Sequence, residues 1–185
     1  MTGLNTAGSL PATTAHLLQL VRACTLCEPH LPLGVRQVLQ VHPAARILVV
    51  GQAPGIRVHN SGVPFDDASG DRLREWMGIT REVFYDPLQM AIVPMGFCYP
   101  GTGKSGDLPP RPECAPHWRQ QVLAHLPQTG NSSVTSSVER WQEFAPGVVP
   151  LPHPSPRNNI WLKRNPWFAE TLLPELKLLV AQALG

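Results

Sequence analysis

Four cysteines and one histidine held between prolines are the side chains best suited to chemistry in this chain. Cys24 and Cys27 form a C-x2-C pair, while Cys98 and Cys114 stand 15 intervening residues apart. Structural zinc sites usually join two close-spaced knuckles, and the second pair is too spread for that pattern. An iron–sulfur cluster tolerates uneven spacing, because thiolates from distant loops converge on it. Spacing alone leaves three readings open: a cluster, a zinc site, and four unrelated buried cysteines. His153 lies in "LPHPSPRNN" (151 to 159), where prolines on both sides hold the backbone extended and stiffen the loop. A third stretch, "ILVVGQAPG" (47 to 55), runs an apolar segment straight into a glycine-rich turn containing Gln52. Turns of this kind often carry the chemistry of α/β proteins, since ligands bind beyond the carboxyl ends of the strands.

One further stretch imitates a phosphate-binding loop. "GTGKSG" (101 to 106) has the GKS triplet, but the spacing needs a glycine where Cys98 stands, and "DLPPRP" follows where a helix should begin. It is therefore read as an ordinary loop, in which Lys104 and Arg111 either touch a DNA backbone or are simply solvated.

The elements that must position these residues follow from apolar periodicity. "TTAHLLQLVRAC" (13 to 24) reads as a helix behind a threonine cap. "ARILVVG" and "MAIVPMG" (90 to 96) are short continuous apolar runs, as expected for buried parallel strands, and "GVVPLP" (147 to 152) is read as a third. Between them, "ASGDRLREWMGI" reads as a helix and "TREVFYD" as a further helical turn capped by Thr80. "ECAPHWRQQVLAHL" (113 to 126) is a helix with Pro116 in its first turn, and "SSVERWQEF" a short one. "NPWFAETLLPELKLLVAQAL" forms one or two C-terminal helices that Pro174 kinks or restarts. Strands alternating with helices predict one α/β domain over residues 1–185, a three-layer α/β/α sandwich around a short central parallel sheet. "PQTGNSSVTSSV" (127 to 138) offers no strand where the alternation wants one. Either the domain is one strand short or residues are missing there.

Composition sets the outer limits. The 185 residues suffice for one hydrophobic core, and the 21 prolines imply stiff connections around the sheet. A net charge of +2 does not announce nucleic acid, although 12 of the 15 basic residues are arginine, the better phosphate and base binder. No stretch approaches the roughly 18 apolar residues of a membrane helix and no signal peptide opens the chain, so a soluble cytoplasmic protein with reduced or metal-bound cysteines is expected; a monomer is expected as well.

"GQAPG", then Pro64–Phe65, then "HPSP" after the third apolar run, occur in the order seen in the uracil-DNA glycosylase superfamily, which the chain resembles. The cysteine frame is similar to that of the family-four type, and "HPSPRN" looks like the second motif of the single-strand-selective monofunctional branch. This resemblance implies a monofunctional DNA glycosylase that excises uracil or a related deaminated base from DNA in base-excision repair. It also implies a [4Fe–4S] cluster on Cys24, Cys27, Cys98 and Cys114. A glycosylase takes its base out of the stack into a pocket. Phe65 would stack on that base, with Gly51, Gln52, Ala53, Pro54 and Gly55 around its far edge and a water near the sugar. His153 would donate a hydrogen bond to the base oxygen where negative charge develops. Ser155, Pro156 and Asn158 would grip phosphate, and Arg157 would enter the emptied stack.

The chain departs from its relatives at three places. Gln52 replaces an acid and cannot act as a general base, and Ala53 stands where the most active branch has aspartate. Asp66 or Asp67 is then expected to supply the carboxylate, unless both are solvated or capping acids. Pro94 occupies the position of a base-reading asparagine, and proline has no side-chain donor or acceptor. Those departures keep a rival open: a DNA-binding iron–sulfur protein of the same fold with weak or no glycosylase activity. The chain's three lysines, Lys104, Lys163 and Lys177, offer little for a Schiff-base step, and His59 is expected to face solvent.

Overall fold

The computed structural model describes residues 13–104, 106–126 and 138–185. Most of the suspect segment at 127–138 therefore lies outside the described residues.

Two strands form the centre: β1 (Ile47–Val49) and β2 (Met90–Ile92), parallel and in the register Ile47↔Met90, Leu48↔Ala91, Val49↔Ile92. All three residues of β2 are buried, which explains why its sequence is continuously apolar instead of alternating. On its other side β2 is bridged by Gln40, whose N–H donates to the Ile92 carbonyl at 2.9 Å and whose carbonyl accepts from the Ile92 N–H at 2.7 Å.

The pleat sends alternate side chains to opposite faces, and two apolar cores follow from it. Ala91, Val93 and Leu48 face a core built with α1 (Thr14–Arg22) and α5 (Cys114–Leu123), around Leu17, Val21, Trp118 and Val122. Met90, Ile92, Ile47 and Val49 face a second core. There α3 (Ala68–Met77) and the C-terminal helix α7 (Leu173–Leu184) supply Leu73, Trp76, Leu176 and Val180. Helices thus cover both faces, and the chain is an α/β protein with a small parallel sheet. Phe168 is almost wholly buried and meets Trp76 edge-on at 4.9 Å, so truncating it to alanine should cost about 3–5 kcal/mol.

Several local signals act as read. Thr13 caps α1 by accepting from the His16 N–H, Thr80 caps α4 (Arg81–Tyr85) by accepting from the Val83 N–H, and Pro116 sits in the first turn of α5. Near the C-terminus α6 (Asn159–Arg164) and a π-helical turn, Phe168–Leu172, precede α7, and Pro174 lies in the first turn of α7.

Two expectations are corrected. Residues 147–152 form no strand, and the segment leads directly into the "HPSP" loop. Pro150, Pro152 and Pro154 remove every second N–H, so from residue 150 onward one edge of the segment has no donors for a ladder. Val149 and Leu151 nevertheless pack on the second core, which keeps the segment in place. "SSVERWQEF" yields only a 3₁₀ turn at Trp141–Glu143 among the described residues. A short helix not anticipated from sequence, α2 (Ile56–Ser61), follows "GQAPG" directly.

Candidate active site and cysteine cavity

The turn after β1 is pinned by the loop after β2. Met95 N–H donates to the Gly51 carbonyl at 2.9 Å and Gly96 N–H to the Gln52 carbonyl at 2.8 Å. Pro54 is buried, Gln52 is exposed, and Gly55 caps α2. The Phe65 ring lies on this turn: a Cβ built on Gly51 would sit 3.4 Å from Phe65 Cζ. Three contacts hold Phe65. Its ring meets Phe84 edge-on at 6.0 Å, the Tyr85 hydroxyl donates to the Pro64 carbonyl at 2.9 Å, and its carbonyl is pressed against Gly70. A Cβ on Gly70 would stand 1.8 Å from the Phe65 oxygen, so only glycine fits there. Phe65 itself has φ of +54°, an uncommon conformation for a bulky residue and one that persists only where its surroundings enforce it.

The second motif faces the same end of the sheet. The Arg72 guanidinium, on α3, donates to the Ser155 carbonyl at 3.1 Å, tying the loop to the helix that begins just after Phe65. Asn158 donates to the His153 carbonyl at 2.7 Å, and the Ser155 hydroxyl accepts from the Arg157 N–H. Ser155 N–H points at His153 Nδ1 at 3.2 Å. A backbone N–H can only donate, so Nδ1 is the acceptor and Nε2 carries the proton of the neutral ring. Partial withdrawal from water holds the His153 pKa below its ordinary value; Asp67 and Asp107 pull it up and Arg157 pushes it down.

The carboxylates that follow Phe65 are both engaged. Asp66 accepts from Arg81 at 2.8 Å, and that guanidinium holds it below the usual carboxylate range. Asp67 caps α3 by accepting from the Gly70 N–H at 2.9 Å. Pro94 lies half-buried in the loop after β2 and offers no polar side-chain group.

Sequence reasoning missed the hairpin of β3 (Thr102–Gly103) and β4 (Gly106–Asp107), which falls in the phosphate-loop look-alike. The Arg157 guanidinium lies against Gly106, whose φ of +129° and missing Cβ make room for it. Asp107 Oδ2 lies beside the first motif, 3.1 Å from where a Cβ on Gly55 would be. No spacing in the sequence marks Asp107, because the hairpin is what brings it here. His59 is corrected as well. It is buried on α2 with its ring 6.0 Å from that of Tyr99, and its Nδ1 has no hydrogen-bond partner among the described residues.

All four cysteines line one cavity, together with Phe97, Trp118, Val35, Gln37, Gly96 and Arg111. The Trp118 indole donates to Cys24 Sγ at 3.3 Å and the Phe97 N–H to Cys114 Sγ at 3.4 Å. Burial, with neighbouring thiolate charge adding to it, pushes Cys98 up and Cys114 up to about 11. Among the described residues no three His, Cys, Asp or Glu side chains are grouped so as to hold a metal ion. No described helix is long and apolar enough to cross a membrane.

The uracil DNA glycosylase superfamily model matches residues 39–177, a span that holds both motif loops, Phe65 and the second cysteine pair and leaves Cys24 and Cys27 outside. With that match over most of its length, and with the two motif loops converging at one end of a small parallel sheet, the chain belongs to the uracil DNA glycosylase superfamily.

Proposed function

We propose that the protein is a monofunctional DNA glycosylase that hydrolyses the N-glycosidic bond of uracil or a related deaminated base in DNA, within base-excision repair. The observation that carries this reading is the Arg72–Ser155 hydrogen bond, which ties the His153 loop, with Nε2 left as the donor of the neutral ring, to the helix that begins just after Phe65. Phe65 stacks on the extruded base, and His153 Nε2–H stabilises the base oxygen as the bond breaks. Gln52, Ala53 and Pro54 enclose the far edge, with Gly51 and Gly55 at the ends of the turn. Ser155, Pro156 and Asn158 hold phosphate, and Arg157 leaves its place on Gly106 to enter the emptied stack.

Cys24, Cys27, Cys98 and Cys114 would hold a [4Fe–4S] cluster of the family-four kind. Their convergence on one cavity and the N–H donors to two of the sulfurs support this. What the cluster would supply is four covalent ties between the N-terminal segment, the loop after β2 and the start of α5.

A second reading is a DNA-binding iron–sulfur protein with weak or no glycosylase activity. It is favoured by Pro94 and by the neutral Gln52, since the Met95 and Gly96 N–H groups are already bonded to the first motif. Strand cleavage after alkali, on labelled oligonucleotides carrying uracil, hypoxanthine, xanthine or a thymine mismatch, separates the two. Release of one base, lost in His153→Ala and Phe65→Ala, establishes the glycosylase and its substrate. Intact DNA binding with no release from any oligonucleotide establishes the rival.

A further inference from the structure

Resting on the glycosylase reading above, we infer that Asp107 is the carboxylate that activates the hydrolytic water. The first motif supplies no base, because Gln52 is neutral and Ala53 is apolar. Of the two acids after Phe65, Asp66 is paired with Arg81, and Asp67 is held to the start of α3 by the bond of its Oδ1 with the Gly70 N–H. Asp107 is differently placed. Thr102 donates to its Oδ1 at 3.2 Å, and the Thr102 hydroxyl is itself bonded to the hydroxyl of the buried Tyr99. Such support fixes the carboxylate's orientation and leaves Oδ2 beside Gly55, at the end of the first motif. On the second-motif side, Arg157 packs on the neighbouring Gly106, and the Asp107 charge acts on the His153 ring, though less than that of Asp67. The hairpin therefore brings one carboxylate to the seam between the two motifs. Its exposure leaves it accessible to water until DNA covers the site.

The chemistry balances with groups already named. Water oxygen bonds to the sugar C1′ as the C1′–N bond breaks, and the electron pair of that bond leaves with the base. The base anion accepts a hydrogen bond from His153 Nε2–H. A proton from the attacking water passes to Asp107, whose negative charge also faces the oxocarbenium-like sugar, and then returns to solvent.

Single-turnover excision, with protein in excess over the oligonucleotide that the wild type cleaves, tests this assignment. Asp107→Asn keeps the size of the side chain and a partner for Thr102, so its fold and its affinity for the same oligonucleotide should match wild type. Its excision rate should fall about 100-fold or more. Asp107→Ala should fall equally, and added formate should restore part of its rate, which a purely structural role would not allow. A rate for Asp107→Asn within about threefold of wild type overturns the assignment while leaving the glycosylase reading intact. So does a comparable loss in Asp66→Asn or Asp67→Asn with Asp107→Asn unaffected. No release by the wild type itself overturns the glycosylase reading, and the role of Asp107 with it.

Discussion

His153 shows how much one backbone hydrogen bond can decide. Because the Ser155 N–H occupies Nδ1, protonating that nitrogen would break a hydrogen bond and place two N–H groups face to face. Desolvation and Arg157 also disfavour the charged ring, against the opposing pull of Asp67 and Asp107. The native state therefore binds this proton less readily than the unfolded chain. The resulting stability is present above the usual histidine range and is lost as pH falls through it. His59 adds to the same trend, since burial and then Arg36 lower its pKa. We expect the melting temperature to rise between about pH 5 and pH 7.5, around the usual histidine pKa. A His59→Leu variant should show a flatter rise, as followed by thermal unfolding at several pH values. Because its Nδ1 has no partner to lose, that variant should be as stable as wild type or more so at pH 5. Phe65 is the complementary case. Losing its ring should weaken the hold on the extruded base by about 1–3 kcal/mol, read as slower excision and weaker binding of base-containing oligonucleotides.

At the scale of elements, the start of α3 acts as a clamp on the site. Asp67 caps it, Gly70 accepts the Phe65 carbonyl against its bare Cα, and Arg72 reaches the Ser155 carbonyl of the second motif. Gly70→Ala forces a Cβ onto that carbonyl and should cost on the order of 3 kcal/mol, measurable by denaturant unfolding. Since the clash falls on the backbone that holds Phe65 at positive φ, excision should suffer more than the lost stability explains. Gly106→Ala tests the hairpin in the same way: its φ of +129° is one that alanine rarely adopts, so the substitution strains the hairpin that carries Asp107. That variant should lose excision with little change in the second core, to which the hairpin does not contribute.

Across the whole molecule, the cysteine cavity joins segments far apart in sequence. If a cluster fills it, freshly purified protein should absorb near about 400 nm, where zinc thiolates are colourless. Cys114→Ser should lose the band and unfold at lower temperature, because metal binding and folding are linked. A colourless, zinc-loaded preparation from anaerobic handling would sink the cluster assignment. The two cores should respond separately to truncation: Phe168→Ala acts on the C-terminal side and Val122→Ala on the α1–α5 side, with β2 the element common to both.

The sequence by itself determined what depends on near neighbours. Thr13 and Thr80 could be read as caps because a cap bonds within three residues. The apolar run at β2 could be read as a buried strand because both its faces are covered, whereas β1 is only half-buried. The motif residues Phe65, His153 and the four cysteines were legible from type and order. The strand expected at 147–152 does not form, because an apolar run alone is no strand where prolines remove the donors that a ladder needs. Only the tertiary structure decided the rest. It engaged Asp66 with Arg81, buried His59, fixed the tautomer of His153, and carried Asp107 on its hairpin to Gly55. Each of these rests on a contact between segments or on the fold of a loop, and neither periodicity nor spacing along the chain encodes such distances.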